Sequence, residues 1–387
     1  MLKKMREEIS PRRTKGIEGN DMIDRRLLTN FDWTLFVLAL LIAVIGVINI
    51  YSATASFKLV GSPYFLKQAY WIVAGLILVV AICSIDYHLL EDISYWVYGL
   101  FVLLLMVVMV AGRTSMGATR WLHLGFINIQ PSEPMKIIII MVFARFFNGH
   151  HFFKGLSLKD LGYPLLLLGG PAFLIMKQPD LGTAVIVVFI AFSLMVYVGV
   201  RWSAVLSVVL AALPMGYLAW HYFLREYQKN RILNFINPER DPLGSGYHII
   251  QSKIAVGSGG LFGKGFLLGT QSHLRFLPEQ HTDFAFSVFS EEWGFVGCLV
   301  LMMLYLFLVL WGLHVAGRCN DRFGSLMAMG VTAMFFWHIV INMGMVIGLF
   351  PVVGVPLPFF SYGGTSMVTS MVGVGILLNI SMRRFMF

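Results

Sequence analysis

The chain has 387 residues, of which 58% are hydrophobic and 13% are charged, and its mean hydropathy is +0.76. Soluble domains carry about a quarter of charged residues, so this composition excludes a soluble globular protein and indicates a membrane protein with many spans. The formal net charge of +9 favours contact with anionic lipid, and no soluble domain is predicted that could bind nucleic acid. The scattered Cys83, Cys298 and Cys319 form neither a zinc pattern nor a disulfide framework.

The chain begins with a polar tail, residues 1–30, in which lysines and arginines outnumber the carboxylates. We expect this tail to be cytoplasmic and partly disordered. The first apolar run follows at 32–52 and ends near Ala53-Thr54-Ala55, which resembles a signal-peptidase site. The run is long for a signal sequence and many further runs follow. We therefore predict an uncleaved first helix and a single membrane domain over 31–387.

Apolar runs long enough to cross a bilayer recur along the chain and predict an all-α polytopic fold with ten transmembrane helices. The runs lie near 32–52, 68–86, 94–111, 133–149, 161–177, 181–199, 203–223, 284–314, 325–349 and 364–382. The run at 133–149 contains Glu133, Lys136 and Arg145, so we expect it to pack against other helices rather than lipid. Lysine and arginine in the connecting segments favour a topology with both termini in the cytoplasm.

This topology places a large extracytoplasmic loop, residues 224–283, between helices 7 and 8. The loop is slightly basic, and its cations are Arg225, Lys229, Arg231, Arg240, Lys253, Lys264 and Arg275. Long loops are translocated with little regard to their charge, so the cations do not argue against the topology. A solvated loop explains this composition as well as the alternative does, which is a surface for an anionic headgroup.

An acidic residue stands where this loop becomes the eighth predicted helix. The stretch 277–286 carries Asp283 immediately before the apolar run, and Glu291 and Glu292 lie inside the run. A carboxylate at such a position is costly unless it faces a polar cavity or a partner. We therefore predict that Asp283 marks the chemical centre of a membrane enzyme.

A second charged segment, residues 120–136, ends one of the predicted outer loops. Ser132 can cap the helix that follows. Glu133 and Lys136 are three residues apart on one helical face. They either neutralise each other or line the same cavity as the acidic residue before the eighth helix. Arg120 lies just upstream on the same predicted side.

Three other places combine polar residues with helix breakers or with one helical face. Asp180 follows Pro179 in a tight turn and can cap the next helix. The segment 351–365 is rich in proline and glycine, which predicts irregular backbone covered by protein or by a water-filled cavity. His338 and Asn342 are four residues apart on one face, and interhelical hydrogen bonds are their default explanation.

A glycine-rich stretch, residues 257–265, raises the question of a nucleotide site. The P-loop pattern needs glycine where Ser258 stands and serine or threonine where Gly265 stands, and no βαβ unit surrounds the stretch. A re-entrant turn whose backbone amides meet a phosphate explains the glycines better. No nucleophile–base dyad stands out elsewhere, so the chemistry is expected to rest on outward-facing charges: Asp283, Glu133, Lys136, Arg120, Lys67 and the cations of the loop.

Taken together, these motifs resemble the SEDS family (shape, elongation, division and sporulation) of bacterial wall polymerases, over nearly the whole chain after residue 30. The resemblance rests on Arg120-Trp121-Leu122, Gln130-Pro131-Ser132-Glu133, Gln178-Pro179-Asp180-Leu181-Gly182-Thr183, Asn237-Pro238, Gly246-Tyr247, Gln251-Ser252, Gly257-Ser258-Gly259-Gly260, His281-Thr282-Asp283-Phe284 and Pro358-Phe359-Phe360-Ser361-Tyr362-Gly363-Gly364. The stretch 237–247 favours the rod-elongation members over the division members.

The resemblance implies ten transmembrane helices in the bacterial cytoplasmic (inner) membrane, with a large outer loop between the seventh and eighth. It implies a peptidoglycan glycosyltransferase that polymerises lipid II into glycan strands during cell elongation and shape maintenance, with release of undecaprenyl pyrophosphate. Family members act with a class B penicillin-binding protein, which supplies the transpeptidase, and other membrane proteins of the elongation complex are expected partners. The family's essential aspartate corresponds to Asp283, and its charged pair corresponds to Glu133 and Lys136.

The chemistry of this transfer assigns roles to these residues as hypotheses. The donor sugar is α-linked to pyrophosphate and the product linkage is β, so one in-line displacement with inversion is expected. Asp283 is the candidate base for the attacking hydroxyl; in the alternative hypothesis it is a ligand of a divalent cation, Mg or Mn. Substrate binding, including stabilisation of the leaving pyrophosphate by cations, is assigned to Glu133, Lys136, Arg120, Lys67 and Lys264.

Two other functions fit a chain with ten spans. A lipid II flippase or another transporter also uses interrupted helices and charges inside the membrane. It would need polar groups that continue through the membrane, whereas the candidates here cluster on the outer side. A passive scaffold for the elongation machinery would leave the charged cluster without a purpose.

Overall fold

The computed structural model describes residues 30–55, 63–115, 118–124, 127–150, 152, 155–224, 226–241, 244–274, 276–277 and 279–384. The helices are α1 Trp33–Thr54, α2 Tyr64–Ser84, α3 His88–Ala111, α4 Ser132–Asn148, α5 Gly162–Lys177, α6 Leu181–Val198, α7 Trp202–Leu218, α8 Glu226–Ile236, α9 Ser245–Ser258, α10 Thr270–His273, α11 Ala285–Arg318, α12 Arg322–Val346 and α13 Gly364–Arg383. The predicted tail, apart from residue 30, lies outside the described residues, as do Arg225 and Arg275 of the predicted loop.

A helix lies at each of the ten intervals predicted as spans, so the all-α membrane architecture is confirmed in outline. Within the described ranges, seven helices are long and apolar enough to cross a bilayer: α1, α2, α3, α6, α11, α12 and α13. The other three, α4, α5 and α7, have 16 or 17 residues. Ten crossings therefore stay a prediction. The predicted loop 224–283 contains the helices α8, α9 and α10, which are separated by irregular segments.

A small sheet precedes α4 and was not predicted from the sequence. Its strands are β1 Arg113–Ser115, β2 Ala118–Leu124 and β3 Ile127–Ile129, paired antiparallel in the order β1-β2-β3. The sheet carries Arg120 in its middle strand. It therefore places this guanidinium beside the start of α6.

Helix α4 lies in the centre of the bundle and packs against α3, α6 and α12. Every side chain from Met135 to Ala144 is buried. A helix that is buried on all sides belongs to the interior of a larger structure. The expectation that this span packs against other helices rather than lipid is therefore confirmed.

Helix α11 is interrupted at Gly294, whose φ of 65° and ψ of −163° are not helical. The break frees backbone groups on both sides, and the glycine-rich turn, residues 259–265, supplies their partners. Four backbone hydrogen bonds of 2.9–3.0 Å join the turn to the break: Lys264 N to Glu291 O, Gly265 N to Glu292 O, Phe295 N to Gly260 O, and Val296 N to Leu261 O. Backbone groups away from water must be paired, so the turn completes the broken helix.

These contacts correct the expectation that the amides of the glycine-rich turn meet a phosphate. The amide of Gly263 donates to the carbonyl of Gly259 at 2.8 Å, and the next two amides donate to α11. The glycines serve close approach instead. A Cβ atom on Gly263 would collide with the carbonyl of Glu292, and its φ of 79° also disfavours a side chain.

The irregular segment, residues 351–363, connects α12 to α13 as predicted. Side chains of neighbouring helices donate hydrogen bonds to its carbonyls: Asn342 Nδ2 to Val355 O at 2.7 Å, Tyr305 Oη to Pro358 O at 2.7 Å, and Gln68 Nε2 to Ser361 O at 3.0 Å. Irregular backbone inside a bundle is stable when its polar groups are satisfied in this way. The hydrogen bonds expected for Asn342 are thus present, but their acceptors lie in the irregular segment and in the turn before α11 instead of in another helix.

The fit between the turn and the break can be tested by comparing two glycines. We expect Gly263→Ala to lower the thermal unfolding midpoint, because a left-handed alanine costs about 1–2 kcal/mol before any collision is counted. Gly257→Ala is the matched control in α9, where an added Cβ meets nothing within 4 Å. Unfolding is followed in detergent solution. Equal midpoints for the two variants would contradict the close approach of turn and break.

Candidate active site

A cavity of about 470 Å³ lies between the sheet, the start of α4, the turn before α11 and the irregular segment. The polar side chains that line it come from widely separated parts of the chain: Arg120, Gln130, Glu133, Asp180, Thr183, Arg231, His248, Glu279, Thr282, Asp283, Tyr362, Thr365 and Ser366. Three of the predicted site residues, Asp283, Glu133 and Arg120, are brought together here. Of the two alternatives for the charged pair of α4, a cavity shared with Asp283 holds for Glu133, and the lining does not include Lys136.

Asp283 is half-buried in the turn that precedes α11. Its backbone is held by α12, because Asn342 Nδ2 donates to the carbonyl of Asp283 at 3.0 Å. Burial, reinforced by the nearby carboxylate of Glu279, raises the pKa of Asp283 to about 6, although Arg120 and Arg231 oppose the shift. A carboxyl group with a pKa close to the working pH is suited to proton transfer.

Glu279 is a second acid of the same turn that the sequence analysis did not single out. Its φ of 49° lies in the left-handed region, which is uncommon for a residue with a side chain. Thr282 Oγ1 donates to the backbone carbonyl and to Oε2 of Glu279, at 3.2 Å in each case. The tight turn therefore holds Glu279 beside Asp283, where their like charges raise the pKa of Asp283.

Asp180 connects the sheet, α4 and α6 at the rim of the cavity. Its Oδ1 accepts from the amide of Thr183 at 3.4 Å, so the predicted helix cap is confirmed. Its Oδ2 accepts from Gln130 Nε2 at 2.8 Å and from Ser132 Oγ at 3.0 Å. The nearest guanidinium nitrogen of Arg120 is 3.7 Å from Oδ1. One buried carboxylate thus anchors three separate segments.

The predicted role of Ser132 as a helix cap is wrong. The N-cap position is Pro131, and Ser132 is the first residue of α4. Its hydroxyl is drawn to Asp180 instead, because that carboxylate is a stronger acceptor than any group in the first turn. Arg120 completes the same corner by donating from Nε to the carbonyl of Gln178 at 3.3 Å and from a terminal nitrogen to the carbonyl of Pro179.

Glu133 and Lys136 form a buried ion pair, with Nζ 2.9 Å from Oε2. Lys136 Nζ is also 2.9 Å from Nε2 of His338, whose Nδ1 is 3.2 Å from the carbonyl of Pro356. Because a carbonyl can only accept, the proton of His338 lies on Nδ1, and Nε2 accepts from Lys136. Both readings of the charged pair hold in part: the pair neutralises itself, and Glu133 also lines the cavity.

Lys136, Lys67 and Lys264 were also predicted to bind substrate, and the cavity lining does not include them. Lys67 is exposed, with Nζ 5.7 Å from the ring centre of Tyr64, which in turn packs against Tyr362 at the cavity edge. Lys264 Nζ lies 2.6 Å from Oε1 of Glu291 in α11. Their roles in substrate binding stay predictions.

Arg231 of α8 and His248 of α9 complete the lining and were not identified individually from the sequence. Arg231 was one of seven cations in the predicted loop, and nothing in the pattern distinguished it. His248 directly follows the Gly246-Tyr247 motif. Burial lowers the pKa of His248 from its ordinary value, so its imidazole is neutral at pH 7.

The buried pair in α4 gives a stability prediction. We expect Glu133→Gln to destabilise the protein by about 3–5 kcal/mol, because it leaves Lys136 charged and enclosed. The double variant Glu133→Gln, Lys136→Met removes both charges and is expected to recover most of the unfolding midpoint in detergent. An unchanged midpoint in the single variant would show that the pair does not carry its charges in the folded state.

The family model FTSW_RODA_SPOVE, described as a cell cycle protein, matches residues 32–385 of the chain. Among curated proteins, the peptidoglycan glycosyltransferase MrdB of Escherichia coli K12 is 44% identical over 316 residues, which cover 81% of this chain and 85% of that protein. The residues that the family model matches include the whole lining of the cavity.

Two solved structures share the fold. A chain from work on structural coordination of polymerization and crosslinking by a peptidoglycan synthase complex is 31% identical with a TM-score of 0.80, covering 92% of this chain and 99% of that chain. The rod shape determining protein RodA of Thermus thermophilus is 30% identical with a TM-score of 0.68, covering 92% and 98%.

Proposed function

We propose that this chain, which belongs to the FtsW/RodA/SpoVE family of cell cycle proteins, polymerises lipid II into glycan strands during cell elongation. Its peptidoglycan glycosyltransferase activity and its role in cell shape follow from the family and from the named relatives. The observation that carries the proposal is a single one: Asp283, with a pKa of about 6, lies in a polar cavity that two arginines line.

The reaction assigns one task to Asp283 and another to the cations. The sugar hydroxyl of the acceptor gives its proton to Asp283 while its oxygen attacks the anomeric carbon of the donor. The bond from that carbon to the pyrophosphate breaks in the same in-line step, so the configuration inverts and undecaprenyl pyrophosphate leaves. Arg120 and Arg231 then face the negative charge that develops on the leaving group.

A divalent cation, Mg or Mn, is the alternative partner of Asp283. Within the described residues, no three His, Cys, Asp or Glu side chains come together as a metal site. Mg²⁺ is commonly held by one or two carboxylates together with substrate phosphates, and Asp283 beside a pyrophosphate provides that donor set. The two roles predict different effects of removing the metal. If Asp283 is the base, the reaction proceeds without a divalent cation; if Asp283 is a metal ligand, the reaction stops.

The proposed setting is the bacterial inner membrane, with ten crossings, both termini in the cytoplasm and the cavity on the outer side. The basic tail and the basic residues between helices support this orientation. A class B penicillin-binding protein is the proposed transpeptidase partner, since one structural neighbour comes from a complex that couples polymerization to crosslinking. Other membrane proteins of the elongation machinery complete the assembly.

The first experiment compares the wild-type chain with Asp283→Asn. Purified protein, with and without its cognate penicillin-binding protein, receives labelled lipid II and Mg²⁺ or EDTA, and products are separated on a gel. We expect a ladder of glycan chains from the wild type and at least a ~10²-fold lower rate from Asp283→Asn, because the base is removed. Lipid II binding and folding are expected to persist, since Asn has nearly the same shape.

The matched control is Glu226→Gln, which removes a carboxylate that is 82% exposed and lies outside the cavity lining. It should polymerise at the wild-type rate. A ladder that survives in Asp283→Asn would overturn the catalytic assignment. No ladder from the wild type, together with lipid II crossing liposomes, would favour the transporter. If the wild type makes polymer with Mg²⁺ and none with EDTA, the role of Asp283 as a metal ligand is favoured over its role as a base.

The raised pKa of Asp283 also predicts the pH dependence of the reaction. The base must be deprotonated, so kcat/KM should rise with pH and level off above about 6. Below that value the rate should fall about tenfold per pH unit, because the reactive fraction falls in proportion. Initial rates between pH 4.5 and 8 measure the midpoint. A flat profile through pH 5 would mean that Asp283 is not the group that controls the rate.

A further inference from the structure

Glu291 is a buried carboxylate that the proposed reaction does not use. Its side chain is 0% exposed and lies 2.6 Å from Lys264 Nζ. Thr270 donates to it from both its amide and its hydroxyl at 2.9 Å, and the amide of Gln271 donates at 3.1 Å. A carboxylate without access to water needs such partners to remain charged. Glu291 is therefore tied firmly to the segment that follows the glycine-rich turn.

Glu291 belongs to a short helical piece, residues 285–293, which we call the half-helix. It begins two residues after Asp283 and ends at the break at Gly294. Three other side chains brace it along its length: Asn49 Nδ2 donates to Ala285 O at 2.9 Å, Ser252 Oγ lies 2.9 Å from Ser287 Oγ, and Ser52 donates to Glu292. Because the break separates it from the rest of α11, the half-helix depends on these braces for its position.

Lys264 is the more exposed member of the pair, because 28% of its side chain is accessible to solvent and none of the Glu291 side chain is. Two of its three ammonium protons are already used, one by Glu291 and one by Thr270 Oγ1 at 2.9 Å. It also lies outside the cavity lining. Its charge therefore interacts with Glu291 of the half-helix. Glu291 is about 12 Å from Asp283 along the helix axis, at a rise of about 1.5 Å per residue.

We propose that Lys264 and Glu291 form a latch that positions Asp283 for glycosyl transfer, so that Lys264 acts through Glu291 and not by contact with substrate. The inference rests on the proposed function and adds two positioning residues to it. Loosening the latch releases the end of the half-helix that lies next to the break at Gly294. The turn that carries Asp283 then loses the rigid support on which a reactive geometry depends.

The test measures kcat and KM for lipid II polymerisation by the full chain in the assay above. We expect Lys264→Met and Glu291→Gln each to lower kcat about tenfold with little change in KM, because displacements near 1 Å can cost up to ~10²-fold. The double variant should be no slower than the slower single variant, since both changes remove one contact. Lys264→Arg keeps the charge and should restore most of the rate.

Lys229→Met is the matched control. It removes a second Lys–Glu pair of the same region, with Nζ 3.2 Å from Glu226 Oε1, where the acid is exposed instead of buried. Its kcat should equal that of the wild type. If Glu291→Gln fails to fold, Lys264→Met still decides, because it replaces the more exposed member of the pair and leaves the backbone hydrogen bonds between the turn and α11 in place.

Two results would overturn the latch. In one, Lys264→Met raises KM at constant kcat while Glu291→Gln is unaffected, which indicates direct substrate binding. In the other, both variants keep full activity. Hydrogen–deuterium exchange of residues 285–293 needs no catalysis and separates this question from the proposed function. Exchange should rise in Lys264→Met and not in Lys229→Met, and equal exchange would reject the latch even if the wild type made no polymer.

Discussion

The pairing of backbone groups away from water is the constraint on which this structure depends. Two interruptions occur inside the helical bundle, at Gly294 and over 351–363, and each frees amides and carbonyls that lipid cannot satisfy. The glycine-rich turn pairs the first set, and side chains such as Asn342 pair the second. The second interruption lines the polar cavity with Val352, Val353, Gly354 and Pro356, whereas the first lies at the end of the half-helix remote from Asp283.

The charges around the cavity follow from a second constraint, the cost of a buried ion. Glu133 and Lys136 neutralise each other, and the carboxylate of Asp180 is surrounded by donors. Asp283 makes no ion pair within the part of the chain that the structure describes, and Glu279 stands near it. Burial, together with the nearby charge of Glu279, raises the pKa of Asp283, whereas Glu133 and Asp180 each have a cation or hydrogen-bond donors beside them. The fold thus separates carboxylates that hold structure from the one suited to accept a proton.

Much of this arrangement was predictable from the sequence, where a single local rule applied. Apolar runs located ten helices, the Asx turn at Asp180 located a cap, and the cost of a charge at a membrane boundary located Asp283. The break at Gly294 was missed because the hydropathy of 284–314 is continuous across it. The strands were missed because three to seven residues carry little periodicity. Lys67 and Lys264 were assigned by charge alone, and charge does not show which partner a residue already has.

The position of the interruptions also bears on how an apolar bundle can work on the proposed substrate, which is half sugar and half lipid. A continuous transmembrane helix presents only side chains, because its own backbone is fully bonded. A broken helix places a carboxylate, a tight turn and a half-helix in succession along the chain, and residues 295–318 of α11 continue beyond the break. The break needs the glycine-rich turn for its backbone partners, and the half-helix joins the break to the turn that carries Asp283. Under the proposed latch, stability at residue 263 and the geometry at Asp283 therefore depend on the same packing.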